Sequence, residues 1–324
     1  MTDRPRIDAL QYADWSEAVL DEMRAGGLDA VHATIAYHGG FREGVLALEA
    51  WHRRFADHPG RLLFARTAAD IAAARDSGRI AVFLGAQNPS ILEDDLGLVE
   101  VWRDLGLRFL QITYNAQSLL GSGHAEADDT GLTLMGREVV AEMNRTGIAI
   151  DLSHAGERTA LDAIAASARP VAVTHANPRD WCPTDRNVSD AVIAALAETG
   201  GMLGVSLYPH HLAGGSDCTL DAFCRMVADV AGRHGTEMLG IGSDLCRGRP
   251  DEAVHWMRHG RWRRPATHDP PARFPDQPAW FRSSRDFPTI AAGLAATGFS
   301  GDEVAGIMGG NWARFIAGQF GGKP

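Results

Sequence analysis

Short apolar runs alternate with amphipathic stretches eight times along this chain, and that rhythm constrains the fold more than any single motif. The candidate strands are RIDAL (6–10), LDAVHATIA (28–36), RIAVFLG (79–85), LRFLQIT (107–113), GIAIDLS (147–153), PVAVTH (170–175), GMLGVSL (201–207) and MLGIGSD (238–244). Several are apolar on consecutive residues, as strands covered on both faces are. Helical patterns lie between them. ADDTGLTLMGREVVAEMNRTG (127–147) and SDAVIAALAETG (189–200) each end on Gly at the usual stop position. Eight strand–helix units in 324 residues predict α/β architecture, a closed (β/α)8 TIM barrel formed as a single domain over residues 1–324. A doubly wound open sheet is the alternative. It is disfavoured because no Gly-rich dinucleotide fingerprint follows the first strand, and GAQNPS (85–90) is not such a loop.

Composition narrows the partners. At 45% hydrophobic residues the chain can bury a sizeable core, and a net charge of −10 excludes a large basic nucleic-acid footprint. The four cysteines, Cys182, Cys218, Cys224 and Cys246, form no C-x-x-C pair, which fits free thiols in a reducing compartment. No stretch has the length or apolarity of a signal peptide, a membrane span or a lipid-anchor tail. The expectation is a cytoplasmic protein acting on a small molecule, with no nucleic-acid or membrane partner.

One segment breaks the rhythm. Residues 245–287, after the eighth candidate strand, carry Trp256, Trp262 and Trp280 among many arginines and prolines. Its aromatics argue against disorder. A long insertion at that place is either a lid over the barrel mouth or a cap and subunit contact.

Barrel enzymes place their chemistry at the C-terminal ends of the strands. Those ends carry Gln11 and Tyr12, Tyr37 and His38, Gln87, Tyr114 and Asn115, His154, His175, Tyr208 with His210 and His211, and Asp244. Two histidines at the same position of successive strands, with an aspartate nearby, make a ligand or acid/base set: neutral imidazoles bind zinc-like ions, and a carboxylate can take a proton from water. The bland reading of each is a hydrogen-bonded core residue. His210 and His211, adjacent in YPHHLAGG, are expected at the surface.

The segments DDTGLTLMGREVVAEMNRTGIAIDLSH (128–154) and PVAVTHANPRDWCPTDRNVSD (170–190), with GSD (242–244) and GFSGDEVAGIMGGNWARFI (298–316), resemble the renal or membrane dipeptidase family of the metal-dependent amidohydrolase superfamily. The resemblance implies a barrel with a two-zinc site that hydrolyses dipeptides, often as a homodimer. It places two metal-holding histidines on His154 and His175 and a catalytic aspartate on Asp244. It also places a substrate-gripping arginine on Arg186, whose guanidinium fork suits a carboxylate.

The pattern then breaks. Leu10 and Tyr12 stand where the family has a His-x-Asp pair, Gln87 where it has a bridging glutamate, and Tyr114 where it has a histidine. Leucine offers no lone pair, and a neutral amide cannot bridge two cations as a carboxylate does. The expectation is therefore a degenerate centre holding at most one zinc, on His154 and His175 with Gln87 or Asp244, or no metal at all. The first hypothesis is a hydrolase of small carboxylate-bearing, dipeptide-like amides. In it Asp244 accepts a proton, Tyr114 donates to the developing oxyanion, and Arg186 and Asn115 bind substrate. A second is a metal-independent acid/base enzyme on an N-substituted amino acid. A third is a non-catalytic small-molecule-binding barrel.

Overall fold

The computed structural model describes residues 4–264 and 272–320; the part of the 245–287 insertion from 265 to 271 lies outside the described residues. Within them, nine parallel strands form one sheet: β1 (Ile7–Gln11), β2 (Ala30–Ala36), β3 (Leu62–Ala65), β4 (Ile80–Ala86), β5 (Leu107–Gln111), β6 (Ala149–Asp151), β7 (Ala172–Ala176), β8 (Met202–Val205) and β9 (Leu239–Ile241). Pairing runs from β1 through β2, β4, β5, β6, β7, β8 and β9 and returns to β1, so eight strands close into a barrel. These are the eight expected strands, and the (β/α)8 architecture holds.

β3 is the addition. It pairs with Ile80–Phe83 of β4, on the edge that β5 takes over from Leu84 onward. Its four residues, LLFA, are too short a run to announce a separate unit, yet they fill the part of that edge which β5 does not reach.

The strands are apolar on both faces because both are covered. Val31, Val82, Leu110, Ile150, Val173 and Val205 pack against helix residues such as Leu20, Trp102, Val139, Val192 and Val227. Ile7, Ala9, Phe83, Phe109 and Met202 pack instead with Trp312 and Phe320, from the helix Asn311–Phe320, and fill the N-terminal half of the barrel. Gly240 permits this: a Cβ there would lie 2.2 Å from the Trp312 Nε1, which donates to the Ile241 carbonyl at 3.1 Å.

Two buried aspartates fix the strand ends that matter. Asp151 accepts from the Ser153 amide at 3.0 Å, the Thr174 amide at 3.1 Å, the Thr174 hydroxyl at 2.6 Å and the Gln111 side chain at 2.8 Å, tying β5, β6 and β7 together. Asp8 accepts from the Ser243 amide at 2.7 Å and from Gln11 Nε2 at 2.7 Å, tying β1 to the end of β9. A buried carboxylate satisfied by several donors is a strong local brace. Burial still pushes the Asp8 carboxyl up to about 6, against the hydrogen bonds that lower it.

The described part of the insertion folds over the barrel mouth. The helix Glu252–His259 leans its Trp256 edge-on against Tyr37 and His38, at 5.9 and 5.8 Å between ring centroids. The Met257 carbonyl meets His38 Nε2 at 2.8 Å, and Arg261 pairs with Glu43 at 2.9 Å. All four cysteines are free. Among the described residues, no helix is long and apolar enough to cross a membrane.

Candidate active site at the barrel mouth

A cavity of about 880 Å3 opens at the C-terminal end of the barrel. That is the size class of small-molecule sites. Its lining includes Gln87, Tyr114, Asn115, His154, Arg186 and Asp244, which gathers the sequence-nominated residues except His175; His175 lies fully buried just beneath, against His154.

On the side of β6, β7 and β9 the lining is polar. His154 Nε2 and His175 Nε2 face each other at 3.1 Å. Thr174 Oγ1 donates to Asp151, so it accepts from His175 Nδ1 at 2.8 Å. Asn115 Oδ1 accepts from His154 Nδ1 at 2.8 Å and from His124 Nε2 at 3.0 Å. Protons on both Nδ1 atoms leave both Nε2 lone pairs turned toward one point. Burial, reinforced by the Arg186 charge, holds both imidazoles well below the ordinary histidine range, so they are neutral at neutral pH.

Arg186 sits in the loop after β7. Asn187 anchors that loop, accepting from the Asn177 amide and donating to the Cys182 and His211 carbonyls, each at 3.0 Å. Arg186 Nη2 reaches the His175 carbonyl at 2.8 Å and His154 Nε2 at 3.2 Å. Its Nη1 is buried with no partner, a costly state for a guanidinium unless a ligand supplies an acceptor. Burial lowers the Arg186 pKa to about 10, with Asp244 opposing, so it stays cationic. Burial likewise pushes the Asp244 carboxyl up to about 7, against the pull of Arg186. Asp244 adopts φ 55°, a left-handed backbone uncommon outside glycine, and its amide bonds the Leu10 carbonyl at 3.0 Å.

On the side of β1, β2 and β5 the lining is aromatic. Tyr12, Tyr37 and Tyr114 form a buried cluster, with ring centroids 5.0 Å apart for Tyr12–Tyr37 and 5.2 Å for Tyr37–Tyr114, both edge-on. Tyr114 also lies 4.4 Å from the His154 ring. Burial raises the Tyr37 and Tyr114 hydroxyls well above the ordinary tyrosine range, so both keep their protons. Gln87 Nε2 donates to Tyr37 Oη at 3.1 Å, and the Arg249 guanidinium stacks 3.9 Å over the Tyr12 ring.

One expectation needs revision. His211 is not a surface residue: it is buried, its Nδ1 meets Ser206 Oγ at 2.8 Å, and it lines the cavity, because the short 3-10 turn Pro209–His211 folds it inward. Asn115 bridges two histidines as well as facing the cavity. The site also recruits His124 and Arg258, which the sequence did not single out, and Tyr37 and Tyr208, which it placed at strand ends without a role. One signal for part of this was available. The chain has only four tyrosines, Tyr12, Tyr37, Tyr114 and Tyr208, and each falls within three residues of the end of a barrel strand.

Two metal ions do not fit these residues. Leu10 and Tyr12 offer no ligand pair, and the Gln87 amide nitrogen is engaged with Tyr37. Among the described residues no group of three or more His, Cys, Asp or Glu side chains is arranged to hold a metal. The converging His154 and His175 lone pairs alone have the donor chemistry for one ion.

A parallel barrel with histidines, an arginine and an aspartate at its mouth has the frame of a metal-dependent amidohydrolase. The chain belongs to the membrane dipeptidase family, peptidase family M19, whose sequence profile matches residues 6–254. It is similar to the dipeptidase aclJ of Aspergillus oryzae, 27% identical over 286 residues, which cover 85% of this chain and 60% of that protein. An uncharacterised dipeptidase of Schizosaccharomyces pombe is 29% identical over 211 residues, 63% of this chain and 51% of its own length. The chain thus spans only half to three-fifths of these curated relatives. Among solved structures, an amidohydrolase from Pseudomonas aeruginosa is 34% identical with a TM-score of 0.92, over 99% of this chain and 98% of that one. A Rhodobacter sphaeroides metallo peptidase, solved with a phosphinate mimic of the dipeptide L-Ala-D-Ala, shares the fold at 19% identity, with a TM-score of 0.81 over 98% of this chain and 99% of that one.

Proposed function

We propose that the protein hydrolyses small amides bearing a carboxylate, dipeptide-like in size, at a reduced centre holding at most one metal ion. The observation that carries this reading is the buried, unpaired Nη1 of the half-buried Arg186, beside Asp244 and the His154–His175 pair. Arg186 Nη1 takes the substrate carboxylate, which satisfies its missing bond and fixes the orientation of the amide. Asp244, with a carboxyl near 7, accepts a proton from the attacking water and passes it toward the leaving nitrogen. Tyr114, held protonated, donates to the oxygen of the tetrahedral intermediate. Asn115 keeps His154 in one tautomer. An ion held by His154 and His175, when bound, supplies Lewis acidity near the scissile carbonyl.

One observation favours a metal-independent acid/base variant of this chemistry. Arg186 Nη2 already points at the His154 Nε2 that an ion would use. The two versions separate experimentally. Turnover of a panel of dipeptides and N-substituted amino acids is measured after zinc reconstitution and again after chelation. The one-ion version expects activity that chelator removes and zinc restores; the metal-free version expects activity indifferent to both. Absence of turnover and of Arg186-dependent binding across the panel contradicts the hydrolase reading altogether.

A further inference from the structure

Beside Tyr114 lies a second compartment of about 380 Å3, which shares Tyr114, Ala116, Gln117 and Trp262 with the lining of the first. Several of its polar atoms are already engaged. Asn88 Oδ1 caps the Ser90 amide at 3.1 Å, and Ser90 Oγ donates to the Gly39 carbonyl at 2.8 Å. Ser118 Oγ donates to the Ile112 carbonyl at 2.8 Å and accepts the Leu120 amide at 2.9 Å, and His38 Nε2 meets the Met257 carbonyl. Its apolar lining is made by the Tyr114 ring, Pro89, Leu119, Leu120 and the Trp262 indole. Leu119 is 58% exposed and Trp262 66%, so both flank the compartment uncovered. Apolar surface left open beside an enclosed polar site marks a place where a ligand is covered.

The charges around the cavity point the same way. A dipeptide carries an α-ammonium next to its scissile carbonyl. Of the carboxylates lining the two compartments, Asp244 already faces the Arg186 charge. Glu126 and Glu93 are exposed and already accept the Gln117 amide at 2.6 Å and the Phe41 amide at 3.0 Å. An exposed ion pair of that kind contributes little. Burying an ammonium against tyrosine rings with Arg186 nearby leaves its charge unpaired.

We propose that the substrate is an N-acyl amino acid whose acyl chain is uncharged and of aryl size, seated between Tyr114 and Trp262, rather than a zwitterionic dipeptide. This rests on the amide-hydrolase reading above and specifies its substrate class. Hydrolysis breaks the acyl C–N bond and forms a C–O bond from water. The water oxygen ends on the acyl carboxylate, and both water protons end on the nitrogen of the released amino acid.

Three ligands separate the contributions: 3-phenylpropanoylglycine, the dipeptide Phe-Gly, which differs from it only by the α-ammonium, and N-acetylglycine, which lacks the ring. Dissociation constants for the purified protein are expected to favour 3-phenylpropanoylglycine by about tenfold over each of the others. W262A, at an exposed position, is expected to remove most of its advantage over N-acetylglycine with the melting temperature unchanged. Phe-Gly binding as tightly as 3-phenylpropanoylglycine overturns the inference, as does an unchanged ratio in W262A. If that Phe-Gly binding is lost in R186M, the hydrolase reading survives and only the acyl-chain inference falls. If no ligand shows Arg186-dependent binding, both fall together.

Discussion

On the side of β6, β7 and β9, two imidazoles and a guanidinium meet within hydrogen-bonding distance, and the Asp244 carboxylate lines the same cavity. On the side of β1, β2 and β5, three tyrosine rings pack edge to face and a glutamine binds one of their hydroxyls. The two sides face one cavity and are braced in the same way, Asp151 under the first and Asp8 spanning from β1 to β9. Their difference is therefore one of surface chemistry on a common frame. The polar side keeps groups that bind anions and move protons. The aromatic side packs, and where a cation would need oxygen and nitrogen donors it offers ring edges and protonated hydroxyls.

The largest expected effect comes from removing the anion grip on the polar side. Arg186→Met keeps an unbranched stem and removes the guanidinium with its charge. It is expected to lower kcat/KM on any carboxylate-bearing amide by about 100-fold, because the charge-assisted hydrogen bond from Nη1 and the cationic partner of the carboxylate are both lost. A substrate amide lacking the carboxylate should lose far less, and equal losses on both would sharpen nothing and break the assigned role.

Asp244 comes next. Its carboxyl lies near 7, above the ordinary 3.8. As the proton acceptor it must be ionised, so activity is expected to rise with pH through a midpoint near 7, and Asp244→Asn should abolish that limb. Stability runs the other way. Below about 7 the folded state holds a proton that the unfolded state has begun to release above its ordinary value, so stability falls as pH rises through this window and the full cost is present above it. Asp244→Asn is therefore expected to raise the melting temperature more at pH 8 than at pH 5. A pH-independent shift in unfolding would contradict the burial cause.

A smaller effect tests the brace. Thr174→Val breaks the Asp151–Thr174–His175 chain and is expected to cost about tenfold in kcat with KM little changed, since it acts through the His175 orientation. The smallest belongs to the aromatic side. Tyr37→Phe removes the Gln87 partner and is expected to destabilise by about 1 kcal/mol, read in denaturant unfolding.

Much of this was legible in the sequence. The eight barrel strands follow from apolar runs and Gly stops, and His154, His175, Arg186 and Asp244 fall at strand ends or in a recognisable loop. β3 was not legible, because four apolar residues before Arg66 carry no periodicity of their own. His211 was misread because adjacent histidines in a loop diverge, and only the three-residue turn decides which one faces inward. The tyrosine cluster needed the closed barrel. Tyr12, Tyr37 and Tyr114 lie up to about a hundred residues apart in sequence, and only the β1–β2–β4–β5 pairing brings their rings together. The packing of the insertion helix likewise required coordinates, since nothing local in Trp256 or Met257 specifies contact with Tyr37 and His38.

Metal stoichiometry most directly tests the asymmetry between the two sides. Elemental analysis by mass spectrometry, after dialysis against excess zinc and removal of unbound ion, is compared between the wild-type chain and the H154A/H175A double variant. The account expects no more than one zinc per chain, with any bound ion lost in the double variant. Two ions per chain, or one that persists without His154 and His175, would contradict it.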